Sequence, residues 1–115
     1  MSKYDKTMSD KKNQIKSELG QYLRDVRKER NETLHQVSQV TDIDSPMLSK
    51  IERGERLPTS EQIRKIAKHF KVPENNLHSK LTAEKILREY GANEVTLVAI
   101  SIVKEEIVKY VKLKK

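Results

Sequence analysis

Apolar residues recur at helical spacing through most of the 115-residue chain. An early stripe passes through Ile15, Leu19, Tyr22 and Val26, three or four residues apart, which is the period of an amphipathic α-helix. Similar stripes follow further along, separated by short polar breaks. Only three glycines and three prolines punctuate the chain, whereas an all-β fold needs many more turns. The pattern therefore predicts an all-α protein.

Helix start and stop signals define two short helices after this first stripe. Thr33, with Gln36 three residues later, predicts a capping box and the start of a helix. Asp44 is a good N-cap for the next helix, with Pro46 in its first turn and Gly54 as its stop. A three-residue turn joins the two helices, which is the spacing of a helix-turn-helix.

The same signals predict further helices downstream. Thr59 or Ser60 caps a fourth helix, and a short fifth helix starts at Pro73. A separate helical segment then covers residues 80–90, and Gly91 ends it. We therefore expect five helices up to about residue 78, followed by one or two C-terminal helices.

The last segment carries two competing signals. Residues 95–103 are rich in β-branched side chains, which favour strands, but they lack strict alternation. Apolar residues instead recur at steps of three and four, which favours a helix capped by Asn93. These stripe residues are Leu97, Ile100, Val103, Ile107 and Val111. A terminal helix on so small a domain has little core against which to bury them, so we predict a dimer interface with a second copy.

The amino-acid composition excludes several classes of function and favours others. Lys and Arg total 24 against 17 Asp and Glu, a net charge of +7 that favours polyanionic partners. Cysteine is absent, which excludes disulfides, thiol catalysis and cysteine-ligated metals. The three histidines are scattered without ligand spacing, and no nucleophile motif or phosphate loop occurs. We expect no cofactor, small-molecule ligand or enzymatic activity. With no signal peptide or membrane span, a cytoplasmic location is expected.

Three runs carry a resemblance to a known family: residues 19–24 (LGQYLR), residues 48–58 (LSKIERGERLP) and residues 66–73 (IAKHFKVP). Over residues 17–78 the chain resembles the lambda-repressor-like, Cro-type helix-turn-helix family, also called XRE. The resemblance implies an all-α, five-helix domain that binds double-stranded operator DNA as a homodimer and regulates transcription. We thus predict a flexible tail over residues 1–14, a DNA-binding domain over residues 15–78 and a dimerisation segment over residues 79–115.

The resemblance also assigns roles by position. The recognition helix, which lies in the DNA major groove, would run from Ser45 to Arg53. Base edges would be faced by Ser45, Pro46, Ser49 and Lys50; phosphates would be contacted at Thr33, Leu34, Arg53 and Arg56. Asp44 has two open roles, as a helix cap or as an acceptor for a cytosine amino group. Met47 is likewise open, between a thymine methyl and the core.

Charge is unevenly distributed over these segments. Residues 33–58 contain three basic and four acidic side chains, so the predicted helix-turn-helix is slightly acidic. Attraction to phosphate would come from Lys50, Arg53 and Arg56 together with flanking basic residues, which are Arg24, Arg27, Lys28 and the N-terminal lysines. Two functions follow: a sequence-specific regulator, most simply a repressor, or an adaptor or antitoxin-like partner protein that keeps the fold with little DNA binding.

Overall fold

The computed structural model describes residues 17–114, and in this range every regular element is an α-helix. The helices are α1 (Glu18–Glu29), α2 (Leu34–Thr41), α3 (Ser45–Glu52), α4 (Ser60–Phe70), α5 (Glu74–Tyr90) and α6 (Glu94–Lys114). Five helices followed by one confirm the predicted fold class. The predicted tail over residues 1–14, and Ile15, lie outside the described residues. Of the described residues, 17–85 form one compact unit and 86–114 belong to another.

A single apolar core lies inside the first unit. Each of α1 to α5 turns one stripe inward, because leucine, isoleucine and valine recur every three or four residues along them. The buried side chains are Leu19, Leu23, Val37, Ile43, Leu48, Ile51, Ile63, Ile66, Ala67, Phe70, Leu77 and Leu81. Ile43 comes from the turn between α2 and α3, so it fixes this turn to the core.

The start of α1 is held by Ser17. Its hydroxyl oxygen accepts a hydrogen bond from the Gly20 amide at 2.8 Å, and the hydroxyl donates to Glu84 of α5 at 2.6 Å. Gly20 lies against the end of α3, where a Cβ atom would stand 2.5 Å from the carbonyl oxygens of Ile51 and Glu52. Only a residue without a side chain permits this approach, so the backbones of α1 and α3 pack in close contact at Gly20.

One predicted boundary is wrong. The sequence predicted a short fifth helix and then a separate segment over residues 80–90, whereas α5 is one helix of 17 residues. Neither glycine nor proline occurs between Leu77 and Leu81, and both leucines are buried four residues apart on the same face. The helix therefore continues until Gly91, which has a φ of 87°.

The second unit contains α6, and the predicted helix in this segment is confirmed. Asn93 caps it as expected, since its side-chain oxygen accepts from the Thr96 amide at 2.9 Å. Within residues 17–114, no helix has both the length and the apolar character needed to cross a bilayer.

Candidate nucleic-acid interface

The helix-turn-helix is built from α2, the turn over residues 42–44, and α3. Thr33 forms the predicted capping box at the start of α2: its hydroxyl accepts from the Gln36 amide at 3.1 Å, while the Gln36 side chain accepts from the Thr33 amide at 2.7 Å. Asp42 adopts the left-handed conformation with φ 60° and ψ 32°, which ends α2. Asp44 then caps α3, and its carboxylate accepts from the Met47 amide at 2.8 Å.

The two sides of α3 differ sharply. Leu48 and Ile51 are buried, and Met47 packs against the core. Pro46, Ser49, Lys50 and Arg53 recur at the i, i+3, i+4, i+7 spacing that places them together on the opposite face of the helix. On this outward face, Lys50 and Arg53 are exposed and Ser49 is half-buried.

The other predicted contact residues surround this outward face. Thr33 is exposed at the start of α2, whereas Leu34 is half-buried and packs against the core, so its side chain has a structural role. Ser45 is half-buried at the first position of α3. Arg56 is exposed in the loop after α3, where the Glu55 amide donates to the Lys50 carbonyl at 2.8 Å and folds the loop against the helix end.

Arg53 has internal partners that the sequence analysis missed. Its guanidinium makes a bidentate contact with Glu55, with Nε to Oε2 at 2.7 Å and Nη2 to Oε1 at 3.2 Å. Arg53 Nη1 also donates to the Ser49 hydroxyl. The hydrogen bond to Glu55 raises the pKa of Arg53, and the same bond lowers the pKa of Glu55, assisted by the positive charge of Lys50. A phosphate that binds Arg53 must therefore displace Glu55 or share the Arg53 guanidinium with it.

A second ion pair joins α1 to α3. Arg27 contacts Glu52 with Nε to Oε2 at 2.7 Å and Nη2 to Oε1 at 3.0 Å, and Arg27 Nη1 also donates to the Glu32 carbonyl at 2.9 Å. The two charged side chains are only 13% and 9% exposed. The Glu52 hydrogen bond raises the pKa of Arg27. Arg27 therefore links α1 to α3 and is not available as a free surface cation. Arg24 and Lys28, which were predicted with it as flanking cations, are exposed.

The part of the chain described, residues 17–114, contains no group of three histidine, cysteine or acidic side chains placed to hold a metal. Two of the three histidines contact carboxylates: His69 Nε2 lies 2.9 Å from Glu32, and His78 Nε2 lies 2.9 Å from Glu74. The arrangement offers exposed cations, hydroxyls and capped helix ends, which are the groups used to contact nucleic acid.

The predicted dimerisation residues share one exposed helix surface. From Leu97 to Lys112, every residue of α6 is exposed. The five predicted stripe residues expose between 40% and 67% of their surface. Val95, Val98 and Ile102 extend the apolar surface around the helix, with 80%, 58% and 58% exposed.

Comparisons with known proteins agree with this fold. A family model described as "Helix-turn-helix" matches residues 23–77. An uncharacterized HTH-type transcriptional regulator, RghRB of Bacillus subtilis (strain 168), is 42% identical over 62 residues, which span 53% of this chain and 45% of that relative.

Two crystal structures of the clp gene regulator ClgR from Corynebacterium glutamicum share the fold. One has a TM-score of 0.51 at 16% identity and covers 85% of this chain and 90% of its own. The other has a TM-score of 0.50 at 20% identity, and the match covers 59% of this chain and 88% of the ClgR chain. The helix-turn-helix match thus covers residues 23–77, and this region is of the lambda-repressor-like type that its motifs resemble.

Proposed function

We propose that this chain is a sequence-specific DNA-binding transcriptional regulator that binds a two-fold symmetric operator as a homodimer in the cytoplasm. The observation that carries the proposal is the outward face of α3, where Ser49, Lys50 and Arg53 stand together on a helix anchored by the core behind it. Regulation follows from occupancy, and repression results where the operator overlaps a promoter.

The outward face suits the major groove for physical reasons. A lysine or arginine on a helix in the groove donates to the O6 and N7 acceptors of guanine, and a hydroxyl can contact either donors or acceptors on the base edges. The exposed Arg56 and the amide-rich start of α2 at Thr33 suit phosphates, which position the helix without reading sequence. Lys50 is thus assigned to base recognition and Arg56 to phosphate binding.

Single substitutions separate these roles. Lys50→Ala should weaken binding to a selected operator roughly tenfold to a hundredfold and relax base preference at one position. Arg56→Ala should weaken binding to all duplexes alike and reduce the salt dependence by about one counterion. Fluorescence anisotropy over a salt series measures both effects, with Lys68→Ala on the exposed side of α4 as the matched control.

An adaptor or antitoxin-like role is the second candidate, because the Arg53–Glu55 pair neutralises one of the three cations of residues 33–58. The two functions differ in their response to DNA. A regulator binds any duplex weakly and with strong salt dependence, since phosphate neutralisation releases counterions. Equal and negligible binding by the wild type and Lys50→Ala at low salt would instead support the adaptor.

A further inference from the structure

We propose that α6 pairs antiparallel with α6 of a second copy, centred near Lys104, the midpoint of the helix. This inference rests on the proposed homodimer and specifies its geometry. The first observation is the extent of the uncovered apolar surface. Between Val95 and Val103 only Thr96 and Ser101 are polar, so this half of α6 is apolar on nearly every side. So large an exposed apolar patch marks an interface.

Most of the charge of α6 lies in its other half. Residues 104–114 carry four lysines and two glutamates, whereas residues 94–103 carry only Glu94. Parallel pairing would bring the two basic halves together. Antiparallel pairing lays each basic half along the apolar half of the other copy, which sets the basic ends about 30 Å apart, well beyond the screening length of about 8 Å at physiological salt. It also opposes the two helix dipoles.

The stripe itself suits this direction. Its members are nearly symmetric about residue 104, so full overlap places Leu97 of one copy beside Val111 of the other, and Ile100 beside Ile107. The apolar contact thus extends from Leu97 to Val111, on both sides of the helix midpoint. The register also brings the two Lys104 side chains near each other, and their long stems allow the ammonium groups to stay in water.

The first test asks whether α6 pairs at all. Ile107→Asp places a charge in the stripe and should convert a dimer into a monomer in sedimentation equilibrium. Ser101→Asp introduces the same residue on another side of the same helix and should remain dimeric. Since both side chains are exposed in the protomer, neither change disturbs its core. A monomeric wild type, or a dimeric Ile107→Asp, would overturn the proposal.

The second test measures direction. The sequence contains no cysteine, so a single Glu105→Cys or Lys112→Cys carries one spin label. These positions are exposed and seven residues apart, hence on the same side of α6 and away from the stripe. Antiparallel pairing gives axial separations of about 3 Å at position 105 and about 24 Å at position 112. Double electron–electron resonance should therefore show a clearly longer distance at 112.

Equal distances at both positions would mean parallel pairing and would refute the antiparallel geometry. DNA binding is measured separately on the same labelled proteins, so the two proposals fail independently. An antiparallel dimer without salt-dependent DNA binding would remove the proposed function and leave this inference standing. Salt-dependent DNA binding together with equal spin-label distances at positions 105 and 112 would refute the antiparallel pairing and leave the proposed DNA binding standing.

Discussion

The Arg27–Glu52 ion pair should be a principal support of the recognition helix, and Glu52→Gln tests it. The substitution keeps the side-chain shape and removes one charge from a pair that is mostly shielded from water, with 13% and 9% of the side chains exposed. Breaking a fully buried pair costs about 3–5 kcal/mol, because a charge is left without its partner. Glutamine still accepts one hydrogen bond, and Arg27 keeps the Glu32 carbonyl, so the expected loss is about 2–3 kcal/mol.

This loss corresponds to a roughly 30- to 150-fold smaller folding equilibrium constant. Urea unfolding followed by circular dichroism measures it, at one fixed protomer concentration because association shifts apparent stability. Glu55→Gln is the matched control: it breaks the exposed Arg53–Glu55 pair, with side chains 50% and 54% exposed, and should leave the unfolding midpoint nearly unchanged.

A double-mutant cycle isolates the pair from other effects of the substitution. Arg27→Met retains the aliphatic stem, and in this background Glu52→Gln should cost far less than in the wild type, since the partner charge is already gone. If Glu52→Gln costs the same in both backgrounds, or no more than Glu55→Gln, the ion pair does not hold α3 in place.

Three further predictions concern the elements around the recognition helix. Burial raises the pKa of Glu32, but hydrogen bonds and charges from Arg30 and His69 outweigh it and lower the pKa overall. The resulting stabilisation is present above the pKa of glutamate in the unfolded chain, about 4.3, and is lost as the pH falls through the lower pKa of the folded protein. Glu32→Gln should therefore reduce the loss of stability at acid pH, measured as urea midpoints between about pH 6 and pH 2. Gly20→Ala should lose about 1–2 kcal/mol in the same assay despite its gain in helix propensity, because the new Cβ meets α3 backbone, and a variant as stable as the wild type would contradict this packing. Asp44→Ala should lose about 1 kcal/mol while Asp44→Asn retains the cap; if Asn also changes the preferred base at one operator position, Asp44 reads DNA as well.

Local signals were enough to predict where α2 and α3 begin. Thr33 with Gln36, and Asp44 with Pro46, lie within one turn of the groups that they satisfy, so the sequence alone specifies these caps. The left-handed turn at Asp42 is similarly local, since aspartate tolerates this backbone region. In α6, the helical spacing of the apolar residues was a better guide than the β-branched composition. Spacing is the stronger signal of secondary structure, whereas the preference of single residues for strands is weak.

The sequence alone could not predict contacts between residues that lie far apart in the chain. Arg27 and Glu52 are 25 residues apart, and only the packing of α1 against α3 brings them together. The sequence therefore shows no partner for Arg27 and favours attraction to phosphate instead. The reason for glycine at position 20 likewise appears only once Ile51 is seen beside it. Glu55 offered a local signal, an acid two residues from Arg53, but the bidentate geometry depends on the turn at Gly54.

We propose that the outward face of α3 reads DNA sequence as part of a two-fold symmetric dimer. The decisive experiment is selection of bound duplexes from a random pool, with Lys50→Ala selected in parallel. We expect the wild type to enrich an inverted repeat whose half-sites lie about one helical turn apart, and Lys50→Ala to lose preference at the same position in both half-sites. No enriched sequence, or an identical motif from the two proteins, would contradict the account.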